Sequence, residues 1–266
     1  MKYKCLSIAG FDGSGGAGIQ ADLKTFSALG CYGMTVLTAL PVQNTCGVKS
    51  CYSIPLAAIK EQLETIFEDI TPDAIKIGML FETPIIEIVA DFLKVHARNI
   101  PIILDPVMIA KSGDPLLMPD AMDALKKLMI PISTLITPNI PEAYALCASD
   151  SDSDILTKKL LDLGCNAVLL KGGHQNGITS DDLFIDSSGF KKTISSVRII
   201  SKNTHGTGCT LSAAITSFIA KKIPLLDSVK LAKEYLLGAI AAASQNSVGK
   251  GHGPVHHFYN VWSANN

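Results

Sequence analysis

Charge is scarce in this chain of 266 residues, of which only 18% are Asp, Glu, Lys or Arg. The basic and acidic residues number 23 and 24, which leaves a net charge of −1. A chain without an excess of positive charge lacks the basic surface to which nucleic acids and anionic membranes bind. We therefore expect neither a nucleic acid nor a membrane as partner, whereas a small, locally charged ligand remains compatible with the composition.

Long apolar runs and closely paired cysteines are also absent. No uninterrupted apolar stretch approaches the roughly 20 residues needed to cross a bilayer, and the N-terminal apolar run is too short for a signal peptide. The seven cysteines are odd in number and never form a C-x-x-C pair. This argues against a disulfide framework and against a cysteine-only zinc site. These absences predict a cytoplasmic protein.

What the chain does contain is an alternation of apolar, β-rich runs with amphipathic stretches, and 47% of its residues are hydrophobic. The predicted strands are 5–9, 34–40, 74–77, 102–104, 134–136 and 167–170, then an antiparallel pair, 182–185 and 190–197. The predicted helices are 19–30, 56–67, 85–95, 121–129, a short one from Glu142, 155–163, 209–220 and 226–243. This order predicts a three-layer α/β/α fold, with helices on both faces of a mostly parallel sheet. No linker or repeat interrupts it, so residues 1–266 are expected to form one domain.

The first glycine-rich segment, Gly13–Gly18, follows a predicted strand and precedes a helix. It fits the dinucleotide pattern G-x-G-x-x-G. That pattern also requires an acidic residue about 20 positions later, which binds the ribose, and no Asp or Glu occurs between Asp22 and Glu61. An NAD-dependent oxidoreductase is therefore a remote alternative. The glycines are equally compatible with close approach of the backbone to a flat ligand, or with a plain strand-to-helix turn.

The second segment, His205–Thr210, runs into an apolar helix. Two glycines at a helix start leave several N–H groups without an acceptor, and the helix dipole adds positive potential there. Such a turn can bind a phosphoryl group in transfer through Gly206, Gly208 and Cys209. No Walker A motif occurs, so a phosphate site must be of another design. The alternative is a plain helix start with Cys209 packed as a small apolar residue.

Polar residues at other strand ends fit the same chemistry. Lys171, in a glycine turn after a strand, can reach a phosphate. Asp105, Asn139 and Glu142 offer the oxygen ligands that suit Mg²⁺ beside substrate phosphates, although Glu142 is also typical of an ordinary helix start. A histidine-containing loop at 249–257 has no acidic or cysteine neighbour, which makes it a weak candidate for a metal site.

In this order along the chain, these segments resemble the signature of the hydroxymethylpyrimidine/phosphomethylpyrimidine kinases of the ribokinase superfamily. The matching segments are SIAGFDGSGGAGIQADLK at 7–24, QNT at 43–45, KIGML at 76–80, DPVM at 105–108, KSG at 111–113, TPN with Glu142 at 137–142, KGGH at 171–174 and HGTGCT at 205–210. The resemblance implies two successive phosphorylations in thiamine biosynthesis, first of the pyrimidine alcohol and then of its monophosphate, with ATP and Mg²⁺. It also implies a homodimer.

The resemblance implies that the side-chain amide of Gln43 recognises the edge of the pyrimidine ring. The other residues expected to contact the substrate are Gly10, Val42, Met79 and Asp22. Those expected to hold nucleotide and metal are Lys171, Asn139, Thr207, Asp105 and Glu142. Cys209 stands where many ribokinase relatives have an aspartate base. Because a helix N-terminus lowers the pKa of a thiol, Cys209 is interpreted either as a thiolate base or as a positioning group.

Two departures from the family pattern concern the ring pocket. Phe11 and Gly13 replace serines of the more usual Gly-Ser-Asp-Ser, and Pro41-Val42 replaces a Thr-Ala pair. Both bear on ring selectivity. The main alternative is therefore a pyridoxal or pyridoxine kinase of the same superfamily, since pyridoxal also carries a hydroxymethyl group on a flat ring. A further alternative is a non-catalytic pyrimidine sensor, which the presence of the predicted phosphate-binding residues disfavours.

Overall fold

The computed structural model describes residues 2–110, 113–173, 177–244 and 247–262. The strands are β1 (Lys4–Ala9), β2 (Tyr32–Leu37), β3 (Ala39–Asn44), β4 (Gly47–Ser53), β5 (Ala74–Ile77), β6 (Ile102–Leu104), β7 (Leu135–Ile136), β8 (Ala167–Leu170), β9 (Thr179–Asp186) and β10 (Lys191–Val197). The helices are α1 (Gly18–Ala28), α2 (Leu56–Asp69), α3 (Thr83–His96), α4 (Ala121–Ala124), α5 (Ile140–Cys147), α6 (Ser153–Leu161), α7 (Thr207–Ala220) and α8 (Leu225–Ala243).

Within these described ranges the central sheet has eight strands, in the order β10-β9-β8-β7-β6-β5-β1-β2. Strands β1, β2 and β5 to β8 run parallel, whereas β9 and β10 pair antiparallel at one edge. The mostly parallel sheet and its antiparallel pair confirm the predicted fold class. Parallel strands covered on both faces are apolar throughout, which is why the buried runs AIKI, IIL and AVLL gave the bounds of β5, β6 and β8 without error.

Two apolar cores lie on opposite faces of this sheet. One core includes Leu6, Ile75 and Leu104 of the strands and is covered by α2 to α6. The other includes Ile103 and Leu169 and is covered by α1, α7 and α8. Successive strand residues alternate between faces, so neighbours in β6 belong to different cores. Full burial of each such aliphatic side chain contributes about 1.5–3 kcal/mol, which fixes the strand ends that carry the polar residues.

One predicted strand was wrong. The run 34–40 is not continuous, because the chain leaves the sheet at Thr38, between β2 and β3. The Thr38 N–H donates to the Ala9 carbonyl at 3.1 Å, and its hydroxyl donates to the Met79 carbonyl at 2.6 Å. These contacts with distant segments bend the chain into a separate antiparallel hairpin, β3–β4, whose register shifts between Val42 and Gln43. The hairpin was not predicted.

A second difference concerns the predicted helix 121–129. Only Ala121–Ala124 is α-helical, and it continues as a π-helical segment over Leu125–Met129 and a 3-10 turn over Ile130–Ile132. The remaining predicted helices and the antiparallel pair are confirmed to within a few residues. Among the described residues, no helix is both long enough and apolar enough to span a membrane.

The chain order creates a crevice beside β1. From β1 the chain passes to β2 on one side, and it later returns to β5 on the other side. Such a change of direction separates the loops that follow the strands and opens a crevice at their carboxyl ends, where ligands of open α/β sheets bind. A functional site is therefore expected at the turns that follow β1 and β5.

Candidate active site

The carboxyl ends of the parallel strands open into a cavity of about 590 Å³. Most of the residues predicted from sequence contribute to its wall: Gly10, Gln43, Met79, Asp105, Asn139, Glu142, Lys171, Gly206, Thr207, Gly208 and Cys209. The fold thus brings together segments far apart in sequence, as the position of a crevice beyond the strand ends requires.

The first part of the wall is the turn before α7, residues 206–209, called the α7 turn below. Gly206 has a φ of 78°, a conformation that costs glycine little and other residues much. A Cβ atom on Gly206 would lie 1.7 Å from the carbonyl oxygen of Gly16. Two glycine-rich segments therefore pack backbone against backbone here, and only glycine permits that approach.

The α7 turn offers main-chain donors to the cavity. The first N–H groups of any helix lack an acceptor within the helix. Thr207 N–H is partly used, since it donates to the Thr204 carbonyl at 3.4 Å. Gly208 and Cys209 follow in the same first turn of α7. Together with the positive end of the helix dipole, such N–H groups form a site suited to an anion.

The thiol of Cys209 does not behave as the helix-end argument predicts. Burial raises its pKa to about 11. The charge of Lys76 opposes this rise, whereas the carboxyl groups of Asp22 and Asp105 add to it. Cys209 is therefore a thiol at neutral pH, and the expectation of a readily formed thiolate is corrected. The local dipole argument omitted the burial of the thiol and, after burial, the carboxyl groups of Asp22 and Asp105 that the fold brings close.

Lys171 lies at the centre of the charged part of the wall. Its ammonium is 2.9 Å from Asp105 Oδ1 and 3.8 Å from Glu142 Oε2. Burial opposes the charge, but the two carboxyl groups outweigh burial and hold the pKa of Lys171 above its usual range. A Cβ atom on Gly208 would lie 3.5 Å from the same ammonium. The cation is thus adjacent to the α7 turn.

Glu142 and Asn139 form a capping box at the start of α5. The Asn139 N–H donates to Glu142 Oε2 at 2.7 Å, and the Glu142 N–H donates to Asn139 Oδ1 at 2.9 Å. Glu142 therefore does form the ordinary helix-start contacts. The same contacts hold the side chains of Asn139 and Glu142 at the cavity wall. Burial raises the pKa of Glu142 to about 7, with Lys171 opposing the rise and Asp105 adding to it.

The same carboxyl groups are the candidates for holding a metal ion. Among the described residues, no group of three or more His, Cys, Asp or Glu converges on one point. Mg²⁺ does not require such a cage, because it is commonly held by one or two carboxylates together with substrate phosphates and water. Asp105 and Glu142, which both reach the Lys171 ammonium, fit that requirement.

Another part of the cavity wall contains Gly10, Met79 and Gln43. A Cβ atom on Gly10 would lie 2.9 Å from the Met79 sulfur, so the bare backbone of Gly10 makes room for that side chain. Gln43 projects from the hairpin, and its side-chain amide donates to the Phe11 carbonyl at 3.4 Å. A glycine backbone, a thioether and an amide on one wall suit a flat ring with a polar edge.

Two predicted substrate contacts lie elsewhere. Asp22 has no exposed surface and accepts hydrogen bonds from Ser7 Oγ at 2.6 Å and Lys76 Nζ at 2.8 Å. Val42 is exposed on the hairpin; successive residues of a strand point to opposite sides, so Val42 points away while Gln43 points inward. Neither residue is part of the described cavity wall.

The glycine-rich turn after β1, residues 10–18, called the β1 turn below, is closed by its own aspartate. Asp12 Oδ1 accepts from the Ser14 N–H at 3.0 Å, and Oδ2 accepts from the N–H groups of Gly16 at 3.1 Å and Ala17 at 2.7 Å. These are the donors that a dinucleotide pyrophosphate would need. The turn is thus a rigid wall, and the dinucleotide interpretation loses its structural basis.

Sequence reasoning assigned no role to Asp12, Lys76 or His205, although all three lie in segments that carry the family resemblance. A signal existed for two of them: Asp before a glycine turn is typical of side-chain capping, and a lysine inside the apolar strand AIKI is rare unless paired. The motif residues Lys111, Ser112 and His174 lie outside the described residues.

The chain is similar to known kinases over most of its length. The family profile described as phosphomethylpyrimidine kinase matches residues 12–256. The hydroxymethylpyrimidine/phosphomethylpyrimidine kinase of Salmonella typhimurium is 49% identical over 98% of this chain and 100% of its own. A crystal structure of phosphomethylpyrimidine kinase from Clostridium difficile aligns with a TM-score of 0.79 at 43% identity, covering 90% of this chain and 100% of that one. An ADP complex of Bacillus subtilis pyridoxal kinase aligns with a TM-score of 0.88 at 35% identity, covering 99% and 100%.

Proposed function

The chain belongs to the phosphomethylpyrimidine kinase family, and we propose that its cavity carries out the ATP-dependent phosphorylation of hydroxymethylpyrimidine and then of its monophosphate. It is thus a phosphotransferase of thiamine biosynthesis. One observation gives the strongest support for assigning this chemistry to the cavity. The Lys171 ammonium adjoins the α7 turn, and both line the same cavity as Gln43.

The pyrimidine ring is placed between the β1 turn and the hairpin. A side-chain amide both donates and accepts hydrogen bonds, so Gln43 can pair with a ring nitrogen and an exocyclic amino group at once. The backbone of Gly10 allows the ring to approach closely, and Met79 packs against its face. This orientation directs the hydroxymethyl oxygen toward the α7 turn.

Phosphoryl transfer requires positioning and stabilisation of charge more than covalent chemistry. The N–H groups of Gly206, Gly208 and Cys209 hold the transferring phosphoryl group, and Lys171 neutralises part of its charge. Asp105 and Glu142 would hold Mg²⁺, which supplies further charge neutralisation at the phosphates. The hydroxymethyl oxygen attacks phosphorus as the bond to the leaving ADP oxygen breaks, and the hydroxyl proton passes to an oxygen of the transferred phosphoryl group. In the second reaction a phosphate oxygen of the monophosphate is the attacking atom.

Cys209 serves as a positioning group in this scheme. A thiol that retains its proton at neutral pH cannot take another from the substrate, and a loose transition state needs little help from a base. We expect Cys209→Ala to lower kcat about tenfold, less than the 10²–10⁴-fold that loss of a general base costs. Iodoacetamide labelling of Cys209, followed by peptide mass spectrometry, should increase with pH up to about 11.

The outcome that contradicts this role is also defined. A loss of 10³-fold or more in Cys209→Ala, together with a labelling midpoint near neutral pH, would restore the thiolate base. Buried Cys165 provides a matched thiol for the labelling series, since burial raises its pKa as well and it is remote from the cavity wall.

The activity itself is tested by following product formation over time. The purified enzyme with ATP, Mg²⁺ and hydroxymethylpyrimidine should yield the monophosphate first and the diphosphate after it. Pyridoxal in a parallel reaction tests the second candidate, which the high structural similarity to Bacillus subtilis pyridoxal kinase favours. ADP release with pyridoxal and none with the pyrimidine would overturn the assignment.

Three further expectations belong to this proposal. Relatives in thiamine biosynthesis act on small metabolites, so a cytoplasmic location fits the enzyme. The central sheet with a core on each face supports a single domain over 1–266. A homodimer is expected from the family resemblance, and light scattering coupled to size-exclusion chromatography measures it directly.

A further inference from the structure

The side chains of Asp12 and His205 join the two glycine-rich turns of the site. His205 Nε2 lies 2.8 Å from Asp12 Oδ2. Asp12 belongs to the β1 turn, which faces the ring, and His205 immediately precedes Gly206 of the α7 turn. We propose that His205, held by Asp12, is a positioning residue for phosphoryl transfer, which sets the α7 turn at the distance from the ring that the reaction requires. The inference rests on the proposed kinase function.

The Asp12 end of this contact is rigid. Asp12 has no exposed surface, and its carboxylate accepts hydrogen bonds from the backbone of its own turn as well as from His205. Burial disfavours its charge, but the bonds from His205 and Ser14 outweigh burial and hold the pKa of Asp12 below its usual range. An ionised, fully bonded carboxylate is a fixed anchor for the imidazole.

The side chain of His205 packs closely between the β1 turn and the α7 turn. A Cβ atom on Gly16 would lie 2.3 Å from the His205 ring, and one on Gly206 would lie 1.7 Å from the Gly16 carbonyl oxygen. The imidazole and the two glycine backbones therefore fill the space between the β1 turn and the α7 turn. A shorter side chain at 205 would leave the α7 turn free to shift.

A third segment reaches His205 and links it to the hairpin that carries Gln43. The His205 N–H donates to the Gly253 carbonyl at 3.0 Å. Residues of the same loop bind the hairpin tip: the Gly251 N–H donates to Thr45 Oγ1 at 3.2 Å and the His252 N–H donates to the Thr45 carbonyl at 3.0 Å. This gives the glycine- and histidine-rich loop near the C-terminus a function other than metal binding. It ties the hairpin to the residue that precedes the α7 turn.

The energetic consequence concerns alignment more than binding. A misplacement of about 1 Å between reacting groups costs on the order of 10²-fold in rate, whereas the contacts that bind the ring and the nucleotide are made by other residues. Loss of the Asp12–His205 contact should therefore lower kcat and leave both KM values nearly unchanged. A residue that only stabilised the fold would lower the amount of active enzyme and would not distinguish between side chains of equal polarity.

The test compares two amides of different length. His205→Gln can still donate to Asp12, whereas His205→Asn is one methylene shorter and cannot. We expect kcat for hydroxymethylpyrimidine phosphorylation to fall about 10²-fold in His205→Asn, with the KM values for pyrimidine and ATP within about threefold of the wild type. The kcat of His205→Gln should be at least tenfold higher than that of His205→Asn. His96→Asn, at the exposed end of α3, serves as the histidine control and should retain full activity.

The opposite results are equally clear. Equal losses in the Gln and Asn variants, a kcat unchanged in His205→Asn, or a loss confined to KM would each overturn the positioning role. Circular dichroism melts measure the folded fraction at the assay temperature. If His205→Asn does not fold, Asp12→Asn takes its place, and we again expect a lower kcat with nearly unchanged KM values. Wild-type activity in the same assay tests the kinase function separately, so failure of one proposal is distinguishable from failure of the other.

Discussion

Replacing Lys171 with methionine is expected to lower kcat by about 10²–10³-fold, the usual cost of removing one group that stabilises transition-state charge. The ammonium is 2.9 Å from Asp105 and adjoins the α7 turn. Methionine keeps the length and apolar stem of the side chain but removes the charge. The transferring phosphoryl group would then face Asp105 and Glu142 with less compensation. Steady-state kinetics with saturating ATP and pyrimidine measure the change.

Two companion variants make this result specific. Lys171→Arg retains the charge and should keep part of the rate that Lys171→Met loses. Lys230→Met removes an exposed lysine paired with Asp227 on α8 and should leave kcat unchanged. If the kcat of Lys171→Met lay within about threefold of the wild-type value, Lys171 would be a structural partner of the two carboxyl groups and would have no part in phosphoryl transfer.

The second large effect concerns stability, at the buried ion pair of Lys76 and Asp22. Lys76→Met is expected to lower the free energy of unfolding by about 3–5 kcal/mol, because it leaves a buried carboxylate without its cation. Both side chains have no exposed surface, and their charged atoms are 2.8 Å apart. Burial opposes the charge of Lys76, but Asp22 and other acidic groups hold its pKa above the usual range. Urea denaturation followed by circular dichroism measures the difference.

A double variant identifies the cause. Lys76→Met with Asp22→Asn removes both charges and keeps an acceptor for the Ser7 hydroxyl, which donates to Asp22 at 2.6 Å. Replacing both members of a buried pair is often nearly neutral, so most of the lost stability should return. Lys60→Met breaks an exposed pair with Glu64, and such pairs contribute about 0–1 kcal/mol. A double variant as unstable as Lys76→Met would point to lost packing as the cause.

The parts of the fold that sequence could predict are those whose signal is local. Strands β5, β6 and β8 are buried on both faces, so their apolar runs end where the sheet ends. The glycines at 206 and 208 likewise indicated from sequence that a helix begins there. The hairpin β3–β4 could not be predicted in this way, because the bend at Thr38 depends on hydrogen bonds to Ala9 and Met79.

The electrostatics of the site depend on the same long-range contacts. A helix N-terminus alone suggests a low pKa for Cys209, but burial, Asp22 and Asp105 reverse the direction. The acidic residues stand more than 100 positions away in sequence. Residue types at strand ends therefore indicated which groups meet, whereas their protonation states required the distances between them.

The use of main-chain atoms in the α7 turn has a consequence for drug resistance. An inhibitor that mimics the transferred phosphoryl group would draw its affinity from backbone N–H groups, which no substitution other than proline removes. The route left to a resistant mutant is to reshape the turn, but a side chain at Gly206 would collide with the Gly16 carbonyl oxygen. Escape from such a compound would thus damage the enzyme it protects.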